Sequence, residues 1–157
     1  MANKISLTWE DIEKDVTALS KELRKSHNFS KIVCEAKGGL ILSYFLAKAL
    51  GIKYIETVCM SHYDGEDRKD EVSIIPRSKV PDVRKNWLIV DDLVDTGKTA
   101  ELAKKYYPNS KLAVLYKKPT SVVTPDFYVK EVEGWVVFPW EKVVLDSYKL
   151  KHMYDSE

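Results

Sequence analysis

The run Leu88-Ile89-Val90-Asp91-Asp92-Leu93-Val94-Asp95-Thr96-Gly97-Lys98-Thr99-Ala100 constrains the fold more than any other stretch of this chain. Trp87 to Val90 is short, apolar and β-branched, which suits one buried strand. Two carboxylates follow where that strand would end, then a turn at Thr96 and Gly97, then a helical pattern from Thr99 to Tyr107. In an open α/β sheet, ligands bind outside the carboxyl ends of the strands. Asp95-Thr96-Gly97-Lys98-Thr99 would lie at the helix N-terminus, where free N–H groups and the dipole favour a phosphate. Acids beside a phosphate cradle suit a ligand that also carries sugar hydroxyls and a metal. Carboxylates accept from a ribose diol, and Mg²⁺ takes oxygen ligands shared with phosphates.

Two other assignments of the run are weaker. Gly97-Lys98-Thr99 matches the tail of a nucleoside-triphosphate loop, but that motif needs a glycine five positions earlier, where Asp92 stands. Three acids in the loop would also repel a triphosphate. A strand, polar turn and capped helix with no ligand would explain a bare Asp-Thr-Gly, but not the whole run.

The run resembles the phosphoribosyl-diphosphate (PRPP) motif of type I phosphoribosyltransferases: an apolar run, two acids, two residues, then Asp, Thr, Gly, any residue, Thr. The similarity extends over about residues 5 to 141 and is strongest to the bacterial xanthine-guanine enzymes of that family. It implies an α/β fold: a parallel sheet flanked by helices, with a flexible lid hairpin and a small base-binding hood. A single domain is expected over 1–157, with a lid at 61–86 and a base-binding segment at 117–141.

The rest of the chain is compatible with that expectation. Its 157 residues suffice for one domain with a sizeable core. Hydrophobic residues make up 45% and charged ones 31%, and the net charge of +1 mixes both signs along the chain. That leaves no electrostatic footprint for nucleic acid or an anionic membrane. No apolar run approaches a membrane span and no signal peptide is evident, so a cytoplasmic protein is expected. Cys34 and Cys59 sit in apolar, strand-like runs and read as buried thiols.

Thr8 opens a first helix with Asp11 as capping-box partner, and Trp9, Ile12, Val16, Leu19 and Leu23 recur at helical spacing. Lys31 to Glu35 is a strand. Ala36-Lys37-Gly38-Gly39 then leads into an apolar helix, Leu40 to Leu50, ended by Gly51. A Gly-Gly turn between strand and helix lets backbone N–H groups approach an anion. The family resemblance makes Lys37, Gly38 and Gly39 the pyrophosphate loop, with lysine where the family usually has arginine. It also marks Ala36–Lys37 as the candidate for a non-proline cis peptide.

Tyr54 to Met60 alternates as a second strand. Gly65 to Glu71 is a dense mixed-charge run, and long loops in compact domains are often lids. The resemblance places Ser61 and Tyr63 at the start of that lid, with His62 interrupting the pattern. Strands are expected at Leu112 to Tyr116 and Phe127 to Val132, and an aromatic-rich segment at Gly134 to Glu141.

By the same resemblance, Lys118 donates to the purine O6, Trp135 covers the base face and the Val136 backbone reads the base edge. Asp91, Asp92, Thr96, Gly97, Lys98 and Thr99 hold PRPP, Asp92 binds Mg²⁺, and Asp95 is the catalytic acid–base group. The implied reaction joins PRPP to a 6-oxopurine with release of pyrophosphate. The implied assembly is a homodimer or homotetramer without nucleic acid. A phosphoribosyltransferase for another base, and a PRPP-sensing regulator of the same fold, are the alternatives.

Overall fold

The computed structural model describes residues 3–26, 28–61, 71–74 and 86–142. Two compact units emerge, one of residues 1–15 with 133–157 and one of residues 16–132.

The larger unit is built on a five-stranded sheet. Its strands are β2 (Lys31–Glu35), β3 (Tyr54–Ser61), β4 (Glu71–Ile74), β5 (Trp87–Val90) and β7 (Lys111–Ala113), in the order β4-β3-β2-β5-β7. All pairs are parallel except β3 with β4, which is antiparallel. Strands buried on both faces of a parallel sheet read as continuous apolar runs. Ile32, Val33 and Cys34 of β2 and Leu88, Ile89 and Val90 of β5 are all buried.

Helix α2 (Gly39–Leu50) follows β2, and α3 (Lys98–Tyr106) follows the Asp-Thr-Gly turn. Gly51 ends α2 with φ +71°, the left-handed conformation that glycine supplies at a helix C-terminus. Val33, Val58, Ile89, Leu102, Ala103 and Leu112 share one core cluster that joins α3 to the sheet.

Two expected strands are divided. Leu112 to Tyr116 does not run on as one strand: β7 ends at Ala113, and β8 (Tyr116–Lys117) belongs to a second parallel sheet with β6 (Leu93–Val94) and β9 (Lys130–Glu131). The cause is a competition for acceptors. Val114 N–H goes to Phe127 O at 3.0 Å, while Leu115 and Tyr116 N–H both go to Asp92 O at 3.0 and 3.3 Å. Phe127 to Val132 is likewise mostly irregular, with a bridge from Phe127 to Ala113 and only Lys130–Glu131 as strand.

In the smaller unit, β1 (Lys4–Ser6) pairs in parallel with β10 (Trp135–Val137), Ile5 opposite Val136. Gly134 precedes β10 with φ +92°, and a Cβ there would collide with the Asn3 carbonyl. Helix α1 (Trp9–Ser26) starts as its sequence suggests. Thr8 N–H and Oγ1–H donate to Asp11 Oδ2 at 2.9 and 2.8 Å, and Asp11 N–H donates back to Thr8 Oγ1 at 3.1 Å. Phe138 stacks on Trp140 at 4.6 Å between ring centroids.

Candidate active site

The carboxyl ends of β2 and β5 carry the acidic centre. Cys34 lies opposite Val90, so the next residues, Glu35 and Asp91, emerge side by side. Asp91 N–H donates to Ala113 O at 3.3 Å, and the Asp92 carbonyl takes the two N–H groups named above. These bonds hold the acid pair at a fixed place on the sheet edge. Asp92 N–H also donates to Asp91 Oδ1 at 2.8 Å.

The Gly-Gly loop lies directly on this pair. A Cβ on Gly38 would stand 2.7 Å from Asp91 Oδ1 and 2.8 Å from Asp92 Oδ1, and one on Gly39 would run into the Val90 carbonyl. Only glycine permits this approach of backbone to carboxylates. The Ala36–Lys37 peptide is cis, as the resemblance suggested, and Lys37 is exposed beside it.

On the other side, Gly97 takes φ +88° and caps α3, with Lys98 as the first helical residue. Gly97 offers no side-chain cap, Lys98 N–H reaches the Thr96 hydroxyl at 3.5 Å, and Glu101 N–H is the first to bond back along the helix, to Gly97 O at 2.8 Å. The remaining N–H groups of the first turn are what an anion needs. Asp95, Thr96 and Lys98 are exposed and Thr99 is half-buried. A cavity of about 120 Å³ is lined by Glu35, Asp91, Asp95, Thr96, Gly97 and Thr99, among others.

Sequence reasoning missed Glu35. Burial pushes its carboxyl up to about 7; the Met60 N–H opposes that and the Asp92 charge adds to it. Asp91 is held well above the ordinary carboxylate range, first by burial, then by the Asp92 and Glu35 charges. The signal was present in the sequence: Glu35 ends a strand one residue before the Ala36-Lys37-Gly38-Gly39 loop. Pairing β2 with β5 in register would have set it beside Asp91.

Three carboxylates this close need protons or a cation. Among the described residues, no three His, Cys, Asp or Glu side chains are arranged to hold a metal by themselves. Mg²⁺ is commonly held by one or two carboxylates plus substrate oxygens and water rather than by an all-protein cage. Asp91 and Asp92, hard oxygen donors beside an anion-ready loop, fit it in that way.

Lys118 is half-buried after β8 and belongs to the larger unit, its N–H donating to Val94 O at 2.8 Å. Trp135 and Val136 belong to the smaller unit: the Trp135 side chain is 65% exposed and Val136 is buried. Ser61 closes β3, and Tyr63 with most of the 61–86 segment lies outside the described residues.

A family model, the phosphoribosyl transferase domain, matches residues 6–146. A xanthine-guanine phosphoribosyltransferase of Desulfotalea psychrophila is 34% identical over 137 residues, 86% of this chain and 84% of that one. The crystal structure of a purine phosphoribosyltransferase from Pyrococcus horikoshii superposes with a TM-score of 0.77 at 34% identity, over 87% of this chain and 93% of the other. The xanthine-guanine-hypoxanthine phosphoribosyltransferase of Helicobacter pylori shares the fold with a TM-score of 0.79 at 24% identity, over 96% and 99%. With its Gly-Gly loop, acid pair and helix-end cradle in one place, this chain belongs to the phosphoribosyltransferase family.

Proposed function

We propose that this protein is a purine-salvage phosphoribosyltransferase, moving the 5-phosphoribosyl group of PRPP to a 6-oxopurine (guanine, xanthine or hypoxanthine) and releasing pyrophosphate. The observation that supports this reading is that a Cβ on Gly38 would stand within 2.8 Å of carboxylate oxygens of both Asp91 and Asp92, while Asp91 lines a cavity with Thr96, Gly97 and Thr99.

Each part then has a task. The Thr96–Thr99 backbone and hydroxyls hold the 5′-phosphate. Asp91 and Asp92 accept from the ribose hydroxyls, with Asp92 the protein's contact to Mg²⁺. Lys37, Gly38 and Gly39 take the pyrophosphate; Lys37 brings charge without the bidentate fork of arginine. Cleavage at C1′ passes through an oxocarbenium-like state, with negative charge developing on the pyrophosphate. When bound, Mg²⁺ would supply charge stabilisation to that leaving group. Donors aimed at developing charge accelerate such a step. Asp95 takes or shares the purine N7 proton. Lys118, a donor only, suits the acceptor O6. Trp135 offers a face for stacking and Val136 its backbone to the base edge. Ser61 and Tyr63 begin the lid.

The chain is one catalytic domain in this reading and works in the cytoplasm. In support, no helix among the described residues is long and apolar enough to cross a membrane. Assembly as a homodimer or homotetramer is supported by α2, apolar on nearly every face yet with Leu40 and Tyr44 exposed in the single chain. A monomer by light scattering at micromolar concentration would contradict that.

The deciding experiment follows absorbance with guanine, PRPP and Mg²⁺. Nucleotide formation that requires all three is expected. Turnover with adenine or a pyrimidine but no 6-oxopurine would favour an enzyme for another base. PRPP binding without turnover on any base would favour a sensor.

A further inference from the structure

The residues after Lys118 do something the family motif does not ask of them. Lys118 N–H donates to Val94 O at 2.8 Å, and Val122 N–H donates to Thr96 O at 3.0 Å. The two acceptors flank Asp95. Between these anchors the segment closes on itself, Ser121 N–H donating to Lys118 O at 3.1 Å. The Ser121 hydroxyl donates to Val123 O at 2.7 Å and accepts Val123 N–H at 3.2 Å. The turn also presses on the start of the cradle. A Cβ on Gly97 would stand 2.8 Å from Ser121 Oγ and 2.9 Å from Val123 N.

We infer that residues 118–123 form a strap that positions the 5′-phosphate cradle, with Ser121 as its positioning residue. A helix-end anion site works only if the N–H groups of its first turn point outward together. Gly97 sits at φ +88° and has no side chain to fix it. The peptide on its N-terminal side is held by Val122 through the Thr96 carbonyl, and Ser121 keeps Val122 and Val123 in place. Ser121 touches no substrate in this arrangement; it acts through Thr96 and Gly97. Because the strap begins at Lys118, a base contact there and a phosphate contact at Thr96–Thr99 bear on the same short piece of chain. This inference rests on the proposed assignment of those residues to purine and 5′-phosphate.

The test compares GMP with guanosine, which differ only in the phosphate, by calorimetry on the full chain. Wild type should bind GMP more tightly. Ser121→Ala removes two hydrogen bonds and should weaken GMP about five- to tenfold while leaving guanosine unchanged. Ser121→Thr keeps the hydroxyl and should restore GMP affinity. Val122→Pro removes the donor to Thr96 and should move GMP in the same direction. That variant serves if Ser121→Ala does not fold. Equal losses for GMP and guanosine, or no loss for either variant, would overturn the strap. A wild type that does not distinguish the two ligands would overturn the site assignment itself, and the strap with it.

Discussion

At the scale of single residues, three of the site's four acids differ by environment. Asp95 is exposed on the turn, while Asp91 and Glu35 are recessed and raised. An exposed carboxylate suits a proton acceptor. Asp95→Asn keeps the shape but removes basicity, so kcat should fall by ~10²–10⁴ with PRPP affinity little changed. Single-turnover rates and PRPP binding on that variant check it; a parallel loss of affinity would place Asp95 on the ribose or metal instead. Glu35 makes a separate prediction. Its carboxyl rises from an ordinary 4.5 to about 7 on folding, so the native state binds more protons than the unfolded one between those values. Stability must therefore fall as pH rises through that window, by on the order of 3 kcal/mol for this group. Glu35→Gln should flatten the slope and raise stability at neutral pH. Urea melts from pH 4.5 to 7.5 in Mg²⁺-free buffer measure both.

At the scale of elements, the two glycines of the loop should answer differently to the same change. A methyl at Gly38 meets the ends of two carboxylate side chains, which can swing aside. Gly38→Ala should keep the fold and lose PRPP affinity, because the acid pair moves off its ligand. A methyl at Gly39 meets the Val90 main chain, which is locked in the central sheet. Gly39→Ala should cost about 1–3 kcal/mol of stability as well. Thermal melts together with PRPP titrations of the two variants separate a loss of binding from a loss of fold.

At the scale of the larger unit, chemistry and stability occupy opposite ends of one sheet. The carboxyl ends of β2 and β5 hold the site. Near the amino ends, the buried Lys31 ammonium pairs with Glu56, and Tyr107 OH donates to Glu56 Oε1 at 3.0 Å. The same ammonium lies 4.2 Å from the Trp87 ring centroid. Removing one partner of a buried pair strands the other, so Glu56→Ala should cost about 3–5 kcal/mol. Its kcat/KM per folded molecule should stay at the wild-type level. Urea denaturation with activity measured well below the transition tests the separation.

Much of this protein was legible along the chain. Apolar runs marked β2, β3 and β5; Gly51 and the Thr8–Asp11 pair marked helix ends; the Asp-Thr-Gly turn marked the start of α3. All of these are local, set by backbone propensity and side-chain period within a few residues. What the tertiary structure decided is non-local. Strand register put Glu35 beside Asp91, and the order β2-β5 let Gly38 reach across to the acid pair. The break between Ala113 and Tyr116 followed from acceptors on Asp92 and Phe127 that no local pattern announces. Ser121 gained its place for the same reason: its neighbour Gly97 is 24 positions away in sequence and within van der Waals contact in the fold. Periodicity says which residues turn inward; only the pairing of distant strands and loops says what they meet there.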